Sequence, residues 1–229
     1  MKLAIATRAD DNIKEMSDLT HPVIKRYAKK WGCDFIVLDK ESEVHRCHYR
    51  ILELKDLLNT YDRILSVDTD IVLNKDIKNP FEVVPLSMIG AVYEDVGSRQ
   101  GKRRQVIRQI QDRFGYVGWE SGYINTGFFL VSQMHAPIFE KINGQLWNGW
   151  GFDDAHLGYQ IAKNKFPIYS LHWRWNNMTM FCEPWNGSPD RFDSFVIHYA
   201  GVGRFGNKFK SRMHNIRHDF NKIWEGVKL

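Results

Sequence analysis

Residues 63–73 place two carboxylates between two short apolar runs, and this arrangement constrains the fold more than any other feature of the chain. Residues 64–67 and 71–73 are mostly Ile, Val and Leu, and between them lie Asp68, Thr69 and Asp70. Short β-branched runs of this kind are typical of buried strands. Asp68 and Asp70 therefore lie where one predicted strand ends and the next begins, and their side chains point the same way on extended backbone.

Two interpretations of this pair remain open from these residues alone. Two carboxylates on one side of a strand end repel each other. A hard divalent cation relieves the repulsion, because it takes oxygen ligands and keeps positions for water and phosphate. This favours a metal site that binds a nucleotide diphosphate. Alternatively, the pair is a polar turn between two strands, since Asp is a common turn former.

The composition is that of a globular protein with anionic partners. The chain has 229 residues, of which 43% are hydrophobic and 14% aromatic. The net charge of +5 favours nucleotide phosphates, nucleic acid or a membrane surface, but no nucleic-acid-binding module is recognisable, so we expect no nucleic acid as partner. Cys33, Cys47 and Cys182 indicate neither a disulfide framework nor a metal cluster. We expect a soluble, cytoplasmic protein, because no signal peptide or transmembrane segment is recognisable.

The first ninety residues alternate predicted strands and helices. Strands are predicted over residues 2–7, 34–38 and 64–67, and helices over 22–31 and 46–58. This alternation predicts an α/β fold with a Rossmann-like, mostly parallel central sheet flanked by helices. Ligands collect beyond the carboxyl ends of such strands, which places Thr7, Arg8 and Asp39 close to a ligand.

The rest of the chain supplies more strands, an insertion and a C-terminal helix. We predict strands over residues 88–93, 128–131, 168–171 and 195–199, and helices over 102–114, 137–146, 155–163 and the C-terminal segment. Residues 94–122 are polar, basic and glycine-containing, which predicts a lid or an acceptor-binding loop. We predict one domain, in which residues 1–93 bind the nucleotide and residues 94–229 bind the acceptor.

A histidine near the end of the chain is a candidate third ligand for the two acids. His198 belongs to a predicted buried strand, and imidazole is an ordinary ligand for manganese-like ions. Gly201 and Gly203 permit close approach of the backbone to a diphosphate, and Arg204 offers a planar fork for phosphate. A purely structural histidine in the core remains the alternative.

Four sets of residues carry a family resemblance over nearly the whole chain. They are residues 49–52 with 61–65, residues 68–72, residues 124–128 with 152–154, and residues 198–201. Their identities and order resemble the retaining enzymes of glycosyltransferase family eight, the glycogenin and lipopolysaccharide galactosyltransferase group, which have the GT-A fold. Related viral and fungal-type transferases share the Asp-X-Asp pair and a late histidine.

The resemblance implies a metal-dependent glycosyltransferase that moves a hexose from a UDP- or GDP-sugar to a glycan or other hydroxyl acceptor, with retention of configuration. The implied ligands of Mn²⁺ or Mg²⁺ are Asp68, Asp70 and His198. Asn125 and Asp153 are implied to contact the transferred sugar. Together with the residues at the strand ends, the implied donor-binding set is Thr7, Arg8, Asp39, Arg50, Asp68, Thr69, Gly201, Gly203 and Arg204.

Asp154 departs from the family pattern, which has glutamine at this position. Since the reacting carbon of the sugar is expected nearby, Asp154 is either a carboxylate nucleophile or a hydrogen-bonding acid. We favour the second role, because retaining transfer in this fold is commonly explained without a covalent intermediate. Asp153, Asp154 and Asn125 form the predicted catalytic set. The alternative for the two acids is capping of a helix start.

A second class of function also remains open. A carbohydrate- or nucleotide-sugar-binding protein with a catalytically weak transferase fold would use the tryptophans of residues 172–190 for recognition. The presence of Asp68, Asp70 and His198 favours an enzyme. The basic run 102–104 would meet an anionic acceptor or, in a weak peripheral contact, a membrane surface, but a solvated face is the simpler interpretation.

Overall fold

The central element of the fold is a mixed six-stranded sheet. We analysed a computed structural model, in which residues 1–39, 47–200 and 209–227 are described. The strands are β1 (Leu3–Arg8), β2 (Asp34–Leu38), β3 (Arg63–Asp68), β4 (Ile71–Leu73), β5 (Ile89–Tyr93), β6 (Ile124–Ser132), β7 (Ile168–Ser170) and β8 (Val196–His198). The sheet order is β2-β1-β3-β6-β5-β7, and β4 pairs with β8 separately. The predicted α/β architecture with a mostly parallel central sheet is confirmed.

The strands of this sheet bring several polar ends to one edge. β1 is parallel to β2 and to β3, and Arg8 at the end of β1 lies opposite Asp68 at the end of β3. β6 runs antiparallel to β3 and to β5. Its first residues, from Asn125 onward, therefore lie beyond the carboxyl end of β3. This edge collects polar side chains from both halves of the chain.

The two-stranded sheet joins residues that are far apart in the sequence. β4 and β8 are antiparallel, with Ile71 directly opposite His198. The amide of Tyr199 donates to the carbonyl of Asp70 at 3.0 Å. This register places His198 beside Asp70, the residue before Ile71, and so brings the imidazole to the acidic pair.

Helices cover both faces of the central sheet. They are α1 (Lys14–Trp31), α2 (Leu54–Leu57), α3 (Pro80–Val83), α4 (Gln100–Phe114), α5 (Phe152–Lys163) and α6 (Phe209–Trp224). The predicted helix 102–114 lies within α4, and Asp153 and Asp154 lie in the first turn of α5, as expected. Among the described residues, no helix has the length and apolar character needed to cross a membrane.

Two predicted helices differ from the structure because of proline. The first was expected to start at Pro22, but α1 starts at Lys14 and continues through Pro22. Pro22 has no backbone N–H and cannot donate a helical hydrogen bond. Burial of Met16 and Val23 on the same face stabilises the helix despite this missing bond. The predicted helix 137–146 is instead a 3-10 segment, Gln133–Phe139, that contains Pro137. Chain reversal follows at Asn143, where φ is 49°.

The hydrophobic core is divided by the central sheet. Ile5 of β1 packs into a cluster with α1 and α6, whereas Ala4 and Ala6 pack on the opposite face with α2 and α5. This alternation follows from the two-residue period of a strand. A third cluster lies between α4 and α5 and contains Trp119 and Trp147. Most of the tryptophans therefore stabilise the core, and Trp150 and Trp185 are half-exposed.

A buried carboxylate helps to attach the C-terminal helix to the site. Asp219 of α6 accepts hydrogen bonds from Tyr199 at 2.6 Å and from two nitrogens of Arg191 at 2.6 and 2.8 Å. Burial by itself would raise the pKa of Asp219, but the hydrogen bonds from Arg191, Tyr199 and His218 outweigh it and lower the pKa below its ordinary value. Tyr199 follows His198, so Asp219 also holds the strand that carries the histidine.

We expect Asp219→Asn to destabilise the protein by about 3 kcal/mol at pH 7, because charge-assisted hydrogen bonds are lost and Arg191 loses its partner. The folded-state pKa of Asp219 lies below its unfolded value, so this contribution is present above the unfolded pKa of ~4 and is lost as the pH falls through the folded value. Urea unfolding at pH 7 and pH 3 should show the difference from wild type shrinking at the lower pH. The exposed Asp112→Asn variant is the control, and an equal loss in both variants would contradict the role of Asp219.

Candidate active site

Two aspartates and a histidine form a compact set of potential metal ligands. His198 Nε2 lies 3.2 Å from Asp70 Oδ1 and 3.7 Å from Asp68 Oδ2. One ligand atom from each residue lies within 4.8 Å of the other two. Burial by itself would lower the pKa of His198, but Asp70 and Asp68 outweigh it and raise the pKa. The same negative charge that attracts a proton to this imidazole would attract a cation.

A chain of buried amides orients the histidine. His198 Nδ1 lies 2.8 Å from the side-chain oxygen of Asn176, and that contact requires Nδ1 to carry the proton, which turns Nε2 toward the acids. Asn176 donates in turn to Asn125 Oδ1 at 2.8 Å, and the amide of Gly127 donates to the same oxygen at 3.0 Å. In metal-binding histidines, the ring nitrogen that does not bind the metal is characteristically fixed by a hydrogen bond.

Arg8 connects the Asp-X-Asp pair to α5. Its guanidinium forms a short ion pair with Asp68, donates to Asp153 Oδ2 at 2.6 Å and donates to the carbonyl of His48 at 2.7 Å. Burial would lower the pKa of Arg8, but the two carboxylates outweigh it and raise the pKa. Arg8 therefore stays charged and fixes Asp68 relative to Asp153.

Asp153 and Asp154 share one hydroxyl group but have different surroundings. Thr126 Oγ1 lies 2.9 Å from Asp153 Oδ2 and 2.8 Å from Asp154 Oδ1. A threonine hydroxyl has one hydrogen, so one of these contacts requires a proton on a carboxyl group. Burial and the neighbouring charges of Asp153 and Glu94 raise the pKa of Asp154 well above its ordinary value. Asp154 is therefore the acid that favours the protonated form, whereas Asp153 is the partner of Arg8.

These residues line one cavity of about 500 Å³ at the polar edge of the sheet. Its walls include the three potential metal ligands, Asn125 and both acids of α5. Residues 94–122 and 172–190 also contribute, through Glu94, Arg103 and Met180 among others. The cavity is large enough for a sugar with a diphosphate group.

Other predicted residues do not line this cavity. Thr7 and Thr69 are buried and form a hydrogen-bonded pair at 3.1 Å between their hydroxyls. Arg50 is buried and pairs with Asp10 at 2.9 Å, and Asp39 is exposed. The donor-binding roles of these four residues remain predictions. Three further predicted residues lie outside the described part of the chain: Gly201, Gly203 and Arg204.

Four residues at this site were not selected from the sequence. Glu94 directly follows β5. The expectation that residues at the carboxyl ends of strands lie close to a ligand therefore applies to it as well. Arg212 reaches Asp70 from α6, with 3.1 Å between Nη1 and Oδ2. It occupies the same helical stripe as buried Ile216. Arg103 lines the cavity and belongs to the basic run 102–104, for which contact with an anionic acceptor is one interpretation. Asn176 has no such signal, because only tertiary structure brings its side chain to His198.

We expect Gly127→Ala to weaken Mn²⁺ binding at least about tenfold, because disturbed orientation of a ligand lowers metal affinity. A Cβ atom on Gly127 would lie 2.2 Å from His198 Cε1. The control is Gly101→Ala, where nothing lies within 4 Å of the added carbon. Electron paramagnetic resonance titration with Mn²⁺ gives the affinities. Wild-type affinity in Gly127→Ala would show that His198 is not a ligand.

The comparisons with known proteins give relationships at the level of structure. No family model matches the chain, and no curated protein matches it in sequence. Among solved structures, a glycosyltransferase involved in glycosylation of the major capsid of PBCV-1 is similar over 95% of this chain and 100% of its own, with a TM-score of 0.64 and 14% identity. The galactosyltransferase LgtC, in complex with donor and acceptor sugar analogues, is similar over 99% of this chain and 97% of its own, with a TM-score of 0.59 and 17% identity.

A third similar structure extends beyond this chain. The glycosyltransferase GlyE of Streptococcus pneumoniae TIGR4 matches over 100% of this chain but 66% of its own, with a TM-score of 0.57 and 14% identity. These identities are too low to transfer an activity from fold alone. The chain therefore has the fold of GT-A glycosyltransferases, as predicted from its sequence.

Proposed function

We propose that the protein is a metal-dependent glycosyltransferase, which moves a hexose from a UDP- or GDP-sugar to a hydroxyl group of a glycan with retention of configuration. The observation that carries the proposal is the convergence of Asp68, Asp70 and His198 on one cavity. The glycosyltransferase fold supports it, because this edge of an α/β sheet is where ligands bind.

The ligand set fits a hexacoordinate cation. Bonds of ~2.1 Å at right angles place neighbouring ligand atoms about 3 Å apart. The 3.2 Å and 3.7 Å separations from His198 Nε2 to the two carboxylates are close to that spacing. Two carboxylates and one imidazole suit Mn²⁺ or Mg²⁺ better than a soft metal. When bound, such an ion would neutralise the negative charge of the diphosphate.

The protein side chains would orient the donor and limit side reactions. Arg212 would contact the diphosphate, and Asn125 and Asp153 would contact the hexose. The bond from the anomeric carbon to the diphosphate oxygen would break as the acceptor oxygen bonds to that carbon on the same face. The acceptor proton would pass to the departing phosphate oxygen. With its raised pKa, Asp154 would carry a proton and would donate a hydrogen bond rather than attack the sugar.

The donor-binding set from the sequence remains part of the proposal. Arg8 and Asp68 line the cavity and would lie beside the donor. Thr7 and Thr69, which are buried beneath it, would support this edge of the sheet. Gly201, Gly203 and Arg204 directly follow the histidine strand, and we propose that they contact the diphosphate.

A direct test is a panel of UDP- and GDP-sugars, assayed for donor hydrolysis and for transfer with and without Mn²⁺. We expect turnover of at least one donor that depends on Mn²⁺. Asp70→Asn should lower it at least about a hundredfold, because the diphosphate charge is no longer balanced. Asp56→Asn, an exposed acid on α2, is the matched control.

Three outcomes of this assay separate the candidate functions. Full activity of Asp70→Asn would make the site assignment wrong. Donor binding by wild type without any turnover would favour a carbohydrate- or nucleotide-sugar-binding protein. No binding of any donor would contradict both candidate functions, the transferase and the sugar-binding protein. Thermal unfolding of each variant shows whether a loss of activity reflects a loss of folding.

We expect Asp154→Asn to retain activity within about fivefold of wild type, because a side-chain amide also donates a hydrogen bond. If Asp154 were instead the covalent nucleophile, the same change would reduce kcat about a thousandfold or more. Asp154→Ala should be less active than Asp154→Asn, since it leaves the backbone N–H of Thr126 unpaired. Single-turnover rates with the best donor measure this difference.

A further inference from the structure

One wall of the cavity carries buried polar atoms without partners. Glu94 and Arg103 are 5% and 7% exposed and form a short ion pair with each other. Within the described residues, Glu94 Oε2 and Arg103 Nε and Nη1 have no hydrogen-bond partner. Buried polar atoms are normally paired, so this wall is suited to a ligand that offers both donors and acceptors, such as sugar hydroxyls.

An exposed aromatic ring lies against the same guanidinium. The guanidinium carbon of Arg103 lies 3.9 Å from the centre of the Trp150 ring, and 52% of Trp150 is exposed. Trp150 also lines the cavity. An exposed tryptophan beside unpaired polar atoms provides the apolar surface on which a pyranose ring can lie.

A fourth residue adds an unbalanced positive charge. Four arginines of the described chain line the cavity. Arg8, Arg103 and Arg212 each pair with a carboxylate of the cavity. Arg99 is half-buried, and among residues 1–39, 47–200 and 209–227 no carboxylate pairs with it. It directly precedes α4 and lies four residues before Arg103, and both side chains line the cavity.

The segment that carries Arg99 is held in place by residues 172–190. Trp185 packs so closely on Gly97 that an added Cβ atom would lie 2.1 Å from the indole nitrogen. Ser98 donates to Glu183 Oε1 at 2.9 Å. Because Arg99 follows these two anchored residues, its position at the cavity is defined before any ligand binds.

We propose that Trp150, Glu94, Arg103 and Arg99 form a subsite for an acidic pyranose of the acceptor. The ring would lie on Trp150, the hydroxyls would pair with Glu94 and Arg103, and the carboxylate would pair with Arg99. The subsite identifies the class of acceptor for the proposed transferase, and this inference rests on the transferase function. A planar guanidinium is well suited to a carboxylate because it offers two parallel donors.

The test uses two acceptor analogues that differ only at C6, methyl β-D-glucuronide and methyl β-D-glucoside. Titrations by ligand-observed NMR give their affinities for the complete chain. We expect wild type to bind the glucuronide roughly tenfold more tightly, which is typical of one hydrogen-bonded charge pair. Arg99→Gln should remove the preference, and Arg99→Lys should retain part of it. Arg108→Gln, an exposed arginine of α4, should leave the preference unchanged.

Trp150→Ala is the second variant, and it should weaken binding of both sugars equally, because it removes the ring platform and not the charge. Equal affinity of wild type for the two sugars, or no binding of either, overturns the subsite. Retention of the preference by Arg99→Gln also overturns it. These results do not depend on turnover. A third result combines both experiments: wild type prefers the glucuronide, Arg99→Gln removes this preference, and no donor is turned over with Mn²⁺. That result would refute the transferase function and leave an acidic-sugar-binding site.

Discussion

The candidate site depends on the antiparallel pairing of β4 with β8. This pairing sets Ile71 opposite His198 and joins the Tyr199 amide to the Asp70 carbonyl. A shift of one residue would turn His198 away from the acids, because successive strand side chains point to opposite faces. The register is held by the packing of α6 on this small sheet. The buried carboxylate that anchors α6 therefore also maintains the geometry of the site.

Charge pairing organises the cavity around this small sheet. Arg8, Arg103 and Arg212 each hold an acid, so a dense set of carboxylates can be buried without strong repulsion. The acids then differ in pKa: His198 and Arg212 outweigh burial and lower the pKa of Asp70, whereas burial and neighbouring acids raise the pKa of Asp154. The proposed cation, hydrogen-bond donor and sugar subsite all use this one cavity.

The sequence predicted the elements with strong local signals. The buried strands and the polar residues at their ends were recognisable from apolar periodicity, and Asp68, Asp70 and His198 were selected correctly as neighbours. Local rules failed where tertiary burial opposed them, as at Pro22 inside α1. Thr7, which was selected from its position at a strand end, is buried and paired away from the cavity, and so is Arg50, which was selected from the family resemblance. Position at a strand end does not reveal whether a side chain is already engaged within the protein.

The amino-acid sequence by itself determined the α/β fold class and the residue types of the site, because periodicity and residue chemistry are local properties. Tertiary structure alone decided which of these residues share the cavity. The sequence marks residues 94–122 and 172–190 only as segments, and tertiary structure selects Arg103 and Asn176 within them. Arg212 comes from the C-terminal helix, whose sequence does not indicate a ligand. Their roles follow from strand register and helix packing, which bring together groups more than a hundred residues apart. The raised pKa of Asp154 is likewise a tertiary property, since it comes from burial and from neighbouring charges.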